Sequence, residues 1–123
     1  MRITLSRAHP SALLAQVHGE LDMATAPRLH EQIVPALEQD EHSLLVVDLT
    51  HVPFLAAAGI AVLLGLRARA RERNVTLRVV ASHRPVTRPL HLLGLADTLD
   101  LRATRALALS PPRSDTIDEP EPA

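Results

Sequence analysis

The run Leu44-Leu45-Val46-Val47-Asp48-Leu49 constrains this chain more than any other segment. Aliphatic side chains without polar alternation read as a strand buried on both faces, and such a strand belongs near the centre of a covered sheet. On either side of it the apolar period changes. Leu29, Ile33, Ala36 and Leu37 recur at helical spacing up to about Gln39, and Ile60, Leu63 and Leu64 do so within Gly59 to Arg73. A buried strand set between two helices predicts parallel neighbours joined by right-handed crossovers.

The remaining segments fill in around that centre. Ile3 and Leu5 alternate with Arg2, Thr4 and Ser6, and Leu14 and Val17 follow His9-Pro10-Ser11, which predicts an opening β-hairpin. Asp22 to Pro27 supplies cap and first-turn residues for the first helix, and Pro35 inside that helix is expected to bend or shorten it. Thr50 to Leu55 forms the next turn. Further on, Leu77 to Val80 predicts a strand, Val86 to Leu93 a short helix closed by Gly94, Leu99 to Leu101 a last strand, and Thr104 to Leu109 a terminal helical turn. The expected order is ββαβαβαβ(α): a single α/β domain over residues 1–109, with a mixed sheet of four to five strands and helices packed mainly on one face. Ser110 to Ala123 sets Asp115, Asp118, Glu119 and Glu121 against Arg113 among prolines, and predicts a disordered acidic tail.

Composition then removes whole classes of function. With 123 residues, 46% of them hydrophobic, the chain fits one domain with a core of its own. The absence of Cys removes disulfides, thiolate nucleophiles and thiolate metal sites together. The 13 basic residues are all Arg and the formal net charge is −1, so the chain lacks the basic excess of a nucleic-acid binder; with one Phe and no Trp or Tyr it also lacks stacking platforms. The apolar run Phe54 to Leu66 falls short of the roughly 18 residues of a membrane-spanning helix, and the charged, alternating opening is unlike a signal peptide. A cytoplasmic protein without membrane or nucleic-acid partners is expected.

Chemistry is equally sparse. Gly19, Gly59, Gly65 and Gly94 never take the spacing of a phosphate loop. The seven His never stand as two ligands on one helical face, and none of Ser11, Ser43 and Ser82 sits in a G-x-S-x-G elbow. Arg67, Arg69, Arg71 and Arg73 at the end of the second helix suit its dipole and read as a solvated helix end. No catalytic residue, cofactor or metal is assigned, and the chain is expected not to be an enzyme. The competing enzyme reading needs a crevice at the carboxyl ends of the strands lined by Asp22, Asp48 and Ser82.

Two segments carry a resemblance. Gly19-Glu20-Leu21-Asp22-Met23-Ala24-Thr25-Ala26-Pro27 and Val46-Val47-Asp48-Leu49-Thr50-His51-Val52-Pro53-Phe54-Leu55-Ala56-Ala57-Ala58-Gly59-Ile60 together resemble the STAS family of bacterial anti-sigma factor antagonists. The likeness runs from about Leu13 to Leu109. It implies partner switching: the unmodified domain binds an anti-sigma factor that is an ATP-dependent serine kinase, and so frees a sigma factor. In that family the second segment continues F-x-D-S-S-G, and phosphorylating the first Ser places negative charge at a helix N-terminus while repelling the partner. Here Ala56, Ala57 and Ala58 stand at the D-S-S positions, so Ala57 has no hydroxyl to modify, while Phe54, Leu55, Gly59 and Ile60 keep the packing part of the motif.

The resemblance implies partner contacts at Asp22, Thr25, Leu55, Ala56, Ala57, Ala58 and Gly59, no phosphosite at Ala57, and an antagonist competent to bind without a phosphorylation switch. Asp22 and Thr25 read equally well as N-caps of the first helix. Three alternatives stay open: a diverged STAS scaffold, a module sensing a small ligand or nucleotide, and a phosphosite moved to Thr25, Thr50 or Ser82. Homodimerisation also stays open.

Overall fold

In the computed structural model, which describes residues 1–9 and 11–110, four strands pair in the order in which the chain makes them. Strand β1 (Arg2–His9) runs antiparallel to β2 (Ala12–His18), while β2, β3 (Leu44–His51) and β4 (Thr76–Val80) are parallel neighbours. On the edge strand β1, Arg2, Thr4 and Ser6 are exposed and Ile3 and Leu5 partly buried, the alternation of a strand with one wet face. Strand β3 lies inside the sheet, and every residue from Leu44 to Leu49 is buried.

Helices α1 (Ala26–Gln39), α2 (Ala57–Glu72) and α3 (Arg84–Leu92) set Leu29, Ile33, Leu63, Leu66, Val86 and Leu90 into one core with Leu45, Val47 and Leu49 of β3. The opposite face is thinner. There Leu14, Leu44, Val46 and Val80 meet Ala108 of the short helix α4 (Arg105–Ala108), so the helices do lie mainly on one side. Thr104 caps α4 by accepting the Leu107 amide at 3.2 Å.

Three local expectations change. Helix α1 is not shortened by Pro35: it runs on to Gln39 with Pro35 inside it and exposed. Leu99 to Leu101 is not a strand. Asp100 takes a left-handed conformation (φ 49°), the chain turns there, and only a bridge between Val80 and Arg102 extends the sheet beyond β4. Helix α3 starts two residues early because Pro85, in its first turn, has no amide to leave unpaired there. The predicted acidic tail from Pro111 onward lies outside the described residues.

Candidate functional site

Parallel pairing brings the carboxyl ends of β2 and β3 to one rim, and a further bridge between Leu21 and Leu55 joins the turns that leave them. The predicted segments Asp22–Thr25 and Leu55–Gly59 are therefore neighbours in space. Leu21 is fully buried and Leu55 is 5% exposed, so the two side chains anchor the turns from below. What the rim shows to solvent is different: Met23 is 85% exposed and Phe54 43%, with Ala57 exposed between half-buried Ala56 and Ala58.

The first turn is built by Asp22. Its Oδ1 accepts the amides of Ala24 and Thr25, each at 3.0 Å, and lies 3.1 Å from Thr25 Oγ1. Thr25 Oγ1 in turn accepts the Asp22 amide at 2.9 Å and reaches the Glu20 carbonyl at 2.8 Å. The Thr25 backbone amide, then its hydroxyl, hold the Asp22 carboxyl below its ordinary value, against a smaller opposing effect of desolvation. Neither residue caps α1 in the expected sense. Thr25 occupies the N-cap position without a side-chain cap bond, because its hydroxyl is spent on the turn that presents Met23.

A lowered folded-state pKa stabilises above the unfolded value, and that contribution is lost as pH falls through the folded one. Asp22→Asn should therefore lower the urea midpoint at about pH 7, with the difference from wild type closing as pH drops below the carboxylate range. Urea titrations at the two ends of that window check it; an equal difference at both would show that the charge is not what holds the turn.

The second turn carries no polar cap. Ala56 is the N-cap of α2 in extended conformation (ψ 172°), no side chain bonds the first amides, and the Ile60 amide reaches the Ala56 carbonyl at 3.1 Å. Helix α3 pins the turn from the side: the Leu55 amide donates to the Pro85 carbonyl at 3.2 Å, and His83 Nε2 lies 2.6 Å from the Val52 carbonyl. Gly59 is needed for closeness and not for flexibility. A Cβ there would stand 2.8 Å from Leu55 Cδ1 and 3.1 Å from Leu21 Cδ2. Gly59→Ala gains up to about 1 kcal/mol of helix propensity, but overpacking between two buried leucines costs about 1–3 kcal/mol. The expected net is a loss of about 1 kcal/mol in urea unfolding, and a stability gain would mean that the leucines yield.

Among the sequence-derived site residues, Leu55 and Gly59 are buried beneath the rim, and Phe54 is on the rim instead of in the core. Met23 and Phe54 were missed as surface because apolar identity by itself predicts burial. The crevice proposed for an enzyme does not assemble. Asp48 alternates with Leu44 and Val46 onto the opposite face, where Oδ1 takes the Thr50 amide and hydroxyl and Oδ2 lies 3.3 Å from Arg105 Nε, while Asp22 is committed to its own turn. Of the three alternative hydroxyls, Thr25 and Thr50 are both hydrogen-bonded to carboxylates, and Ser82 is exposed. No helix among the described residues is long and apolar enough to cross a membrane.

Residues 5–108 match the model of the STAS domain. The anti-sigma-F factor antagonist RsfB of Mycobacterium tuberculosis is 34% identical over 110 residues, covering 89% of this chain and 88% of RsfB. RsfA of the same organism, also an anti-sigma-F factor antagonist, is 32% identical over 103 residues, 83% of this chain and 80% of RsfA. Among solved structures, an anti-sigma factor antagonist from Mycobacterium paratuberculosis is 34% identical with a TM-score of 0.71, covering 89% of this chain and 92% of that one. SpoIIAA in its unphosphorylated form shares the fold at 16% identity, with a TM-score of 0.75 over 88% of this chain and 93% of its own.

Proposed function

This chain belongs to the STAS domain family, and from that premise we propose that it is an anti-sigma factor antagonist, not an enzyme, that docks an anti-sigma factor of the serine-kinase type on the paired turns and so frees a sigma factor. The observation that carries the reading is the Leu21–Leu55 bridge, which brings the Asp22-held turn with its exposed Met23 next to the turn that exposes Phe54 and Ala57. An aromatic ring, a thioether and a methyl group raised on a hydrogen-bonded frame suit burial against another protein. The relatives aligned over nearly the whole chain are named for the same activity.

Control by phosphorylation at the usual site is absent in this reading. Ala57, exposed at the first position of α2, offers a methyl group where transfer from ATP needs a hydroxyl. Binding is then governed by the amounts of the two proteins, in the cytoplasm where sigma factors act.

Titration calorimetry with the anti-sigma-F factor of Mycobacterium tuberculosis, the factor for which RsfB and RsfA are named, tests the proposal. The expected result is a complex that survives ATP, with no phosphate on the chain by intact mass. Absence of a complex would sink the antagonist reading. Phosphate on Thr25, Thr50 or Ser82 would sink control by abundance.

A second reading, ligand sensing, rests on a cleft of about 440 Å³ at the opposite end of the sheet, lined among others by Glu41, His42, Arg73 and Asn74. Both ring nitrogens of His42 are buried there without a hydrogen-bond partner among the described residues. A rise in Tm with one member of a nucleotide panel would favour it.

A further inference from the structure

We infer that the outer face of α3 is a second contact on the same partner, and that it takes an acidic surface of that protein; this rests on the reading of the 54–58 turn as the docking rim. Helix α3 is two-faced. Val86 and Leu90 are buried in the core, while Arg84, Thr87, Arg88, His91 and Leu92 line a shallow groove of about 230 Å³ on the outside. Those positions repeat at three- and four-residue spacing, so they form one stripe along the helix.

The stripe is electrostatically unfinished. It holds two arginines and a histidine and no carboxylate, and neither Arg84 nor Arg88 has an ion-pair partner among the described residues. On α2, by contrast, Arg69 pairs with both Glu38 and Glu72. Beyond the cations, Leu92 is 69% exposed and Leu93 61%, an apolar end beside a positive stripe. An acidic surface with an apolar margin complements both.

Position ties this face to the rim. The first turn of α3 holds Leu55 through the Pro85 carbonyl, with Arg84 next to it in sequence, so a partner seated on Phe54 and Ala57 meets Arg84 at its edge. A second copy of this chain fits badly, since two-fold pairing of the stripe sets arginine against arginine. An anionic membrane fits badly as well. An interfacial helix needs a free apolar face opposite its cations, and here that face is already in the core.

The test uses the full chain and the same Mycobacterium tuberculosis anti-sigma-F factor, comparing wild type with Arg84→Glu/Arg88→Glu at two salt concentrations. The double reversal is expected to slow association about tenfold at low salt and to flatten the salt dependence, with Tm not lowered, since a carboxylate at position 84 faces the positive end of α3. Wild-type association retained by the double variant would overturn the α3 contact while leaving the docking rim standing. No binding by wild type would overturn both. Co-sedimentation of wild type, but not the variant, with phosphatidylglycerol vesicles would assign the stripe to lipid and overturn the protein contact.

Discussion

Ala57→Glu should abolish docking of the anti-sigma factor while leaving the domain at least as stable as wild type. Ala57 is exposed and opens α2, whose first amides no side chain caps. A carboxylate there faces the positive end of a 16-residue helix, which stabilises the fold by about 0.3–1 kcal/mol. The same charge at the middle of an apolar interface must be desolvated without a partner, so affinity should fall at least about a hundredfold, or roughly 2.8 kcal/mol. The two effects have opposite signs, which separates damage to the site from damage to the fold. Ala57→Ser adds only a small neutral group and should keep stability within about 0.5 kcal/mol of wild type. Calorimetry of the complex and thermal unfolding of the free chain decide the matter: undiminished affinity in Ala57→Glu would remove the turn from the docking surface, and a fall in Tm would mean that the start of α2 is not open to charge.

Much of the frame that holds this turn could be read from residues alone, for reasons that are physical. Leu44 to Leu49 announces a doubly covered strand because a residue run without alternation has no wet side. Given that centre and the helical periods on each side, right-handed crossovers place the ends of β2 and β3 together, and with them the Asp22 and Ala57 turns. The readings that failed share a cause: they depend on what a side chain meets far along the chain. Phe54 is apolar and by type reads as packing, yet it is exposed on the turn that Leu55 anchors. Leu99 to Leu101 has strand-like residues, but Asp100 turns left-handed there and spends its carboxylate on Arg78 and Arg102. Thr25 is a good N-cap by type and is diverted by Asp22. The burial of Arg78 is not legible from its place in a strand, where a charge ordinarily faces water.

Arg78 carries the second large effect, on stability. It is buried on the thin face of the sheet, where Nη1 donates to the carbonyls of Ala108 at 2.9 Å and Ser110 at 2.8 Å, and Nε donates to Asp100 Oδ2 at 3.1 Å. One side chain thus ties β4 to the 97–100 turn and to the end of α4, a helix too short to persist without it. Arg78→Met keeps much of the stem but removes the bonds to both carbonyls and leaves Asp100 to Arg102, and it should cost about 3 kcal/mol, or roughly 10 to 15 °C in Tm. Arg105→Ala removes the other tie, but Arg105 is half exposed and Asp48 keeps its bonds from Thr50, so at most about 1 kcal/mol should be lost. Hydrogen exchange should show amides of 105–108 deprotected first in Arg78→Met. A loss below about 1 kcal/mol in that variant would mean that α4 is held by its apolar contacts instead. Because α4 lies across the sheet from α1 and α2, the folded fraction of Arg78→Met should still bind the anti-sigma factor with wild-type affinity, and the two sides of one sheet would then be separable: one that docks, one that holds α4 in place.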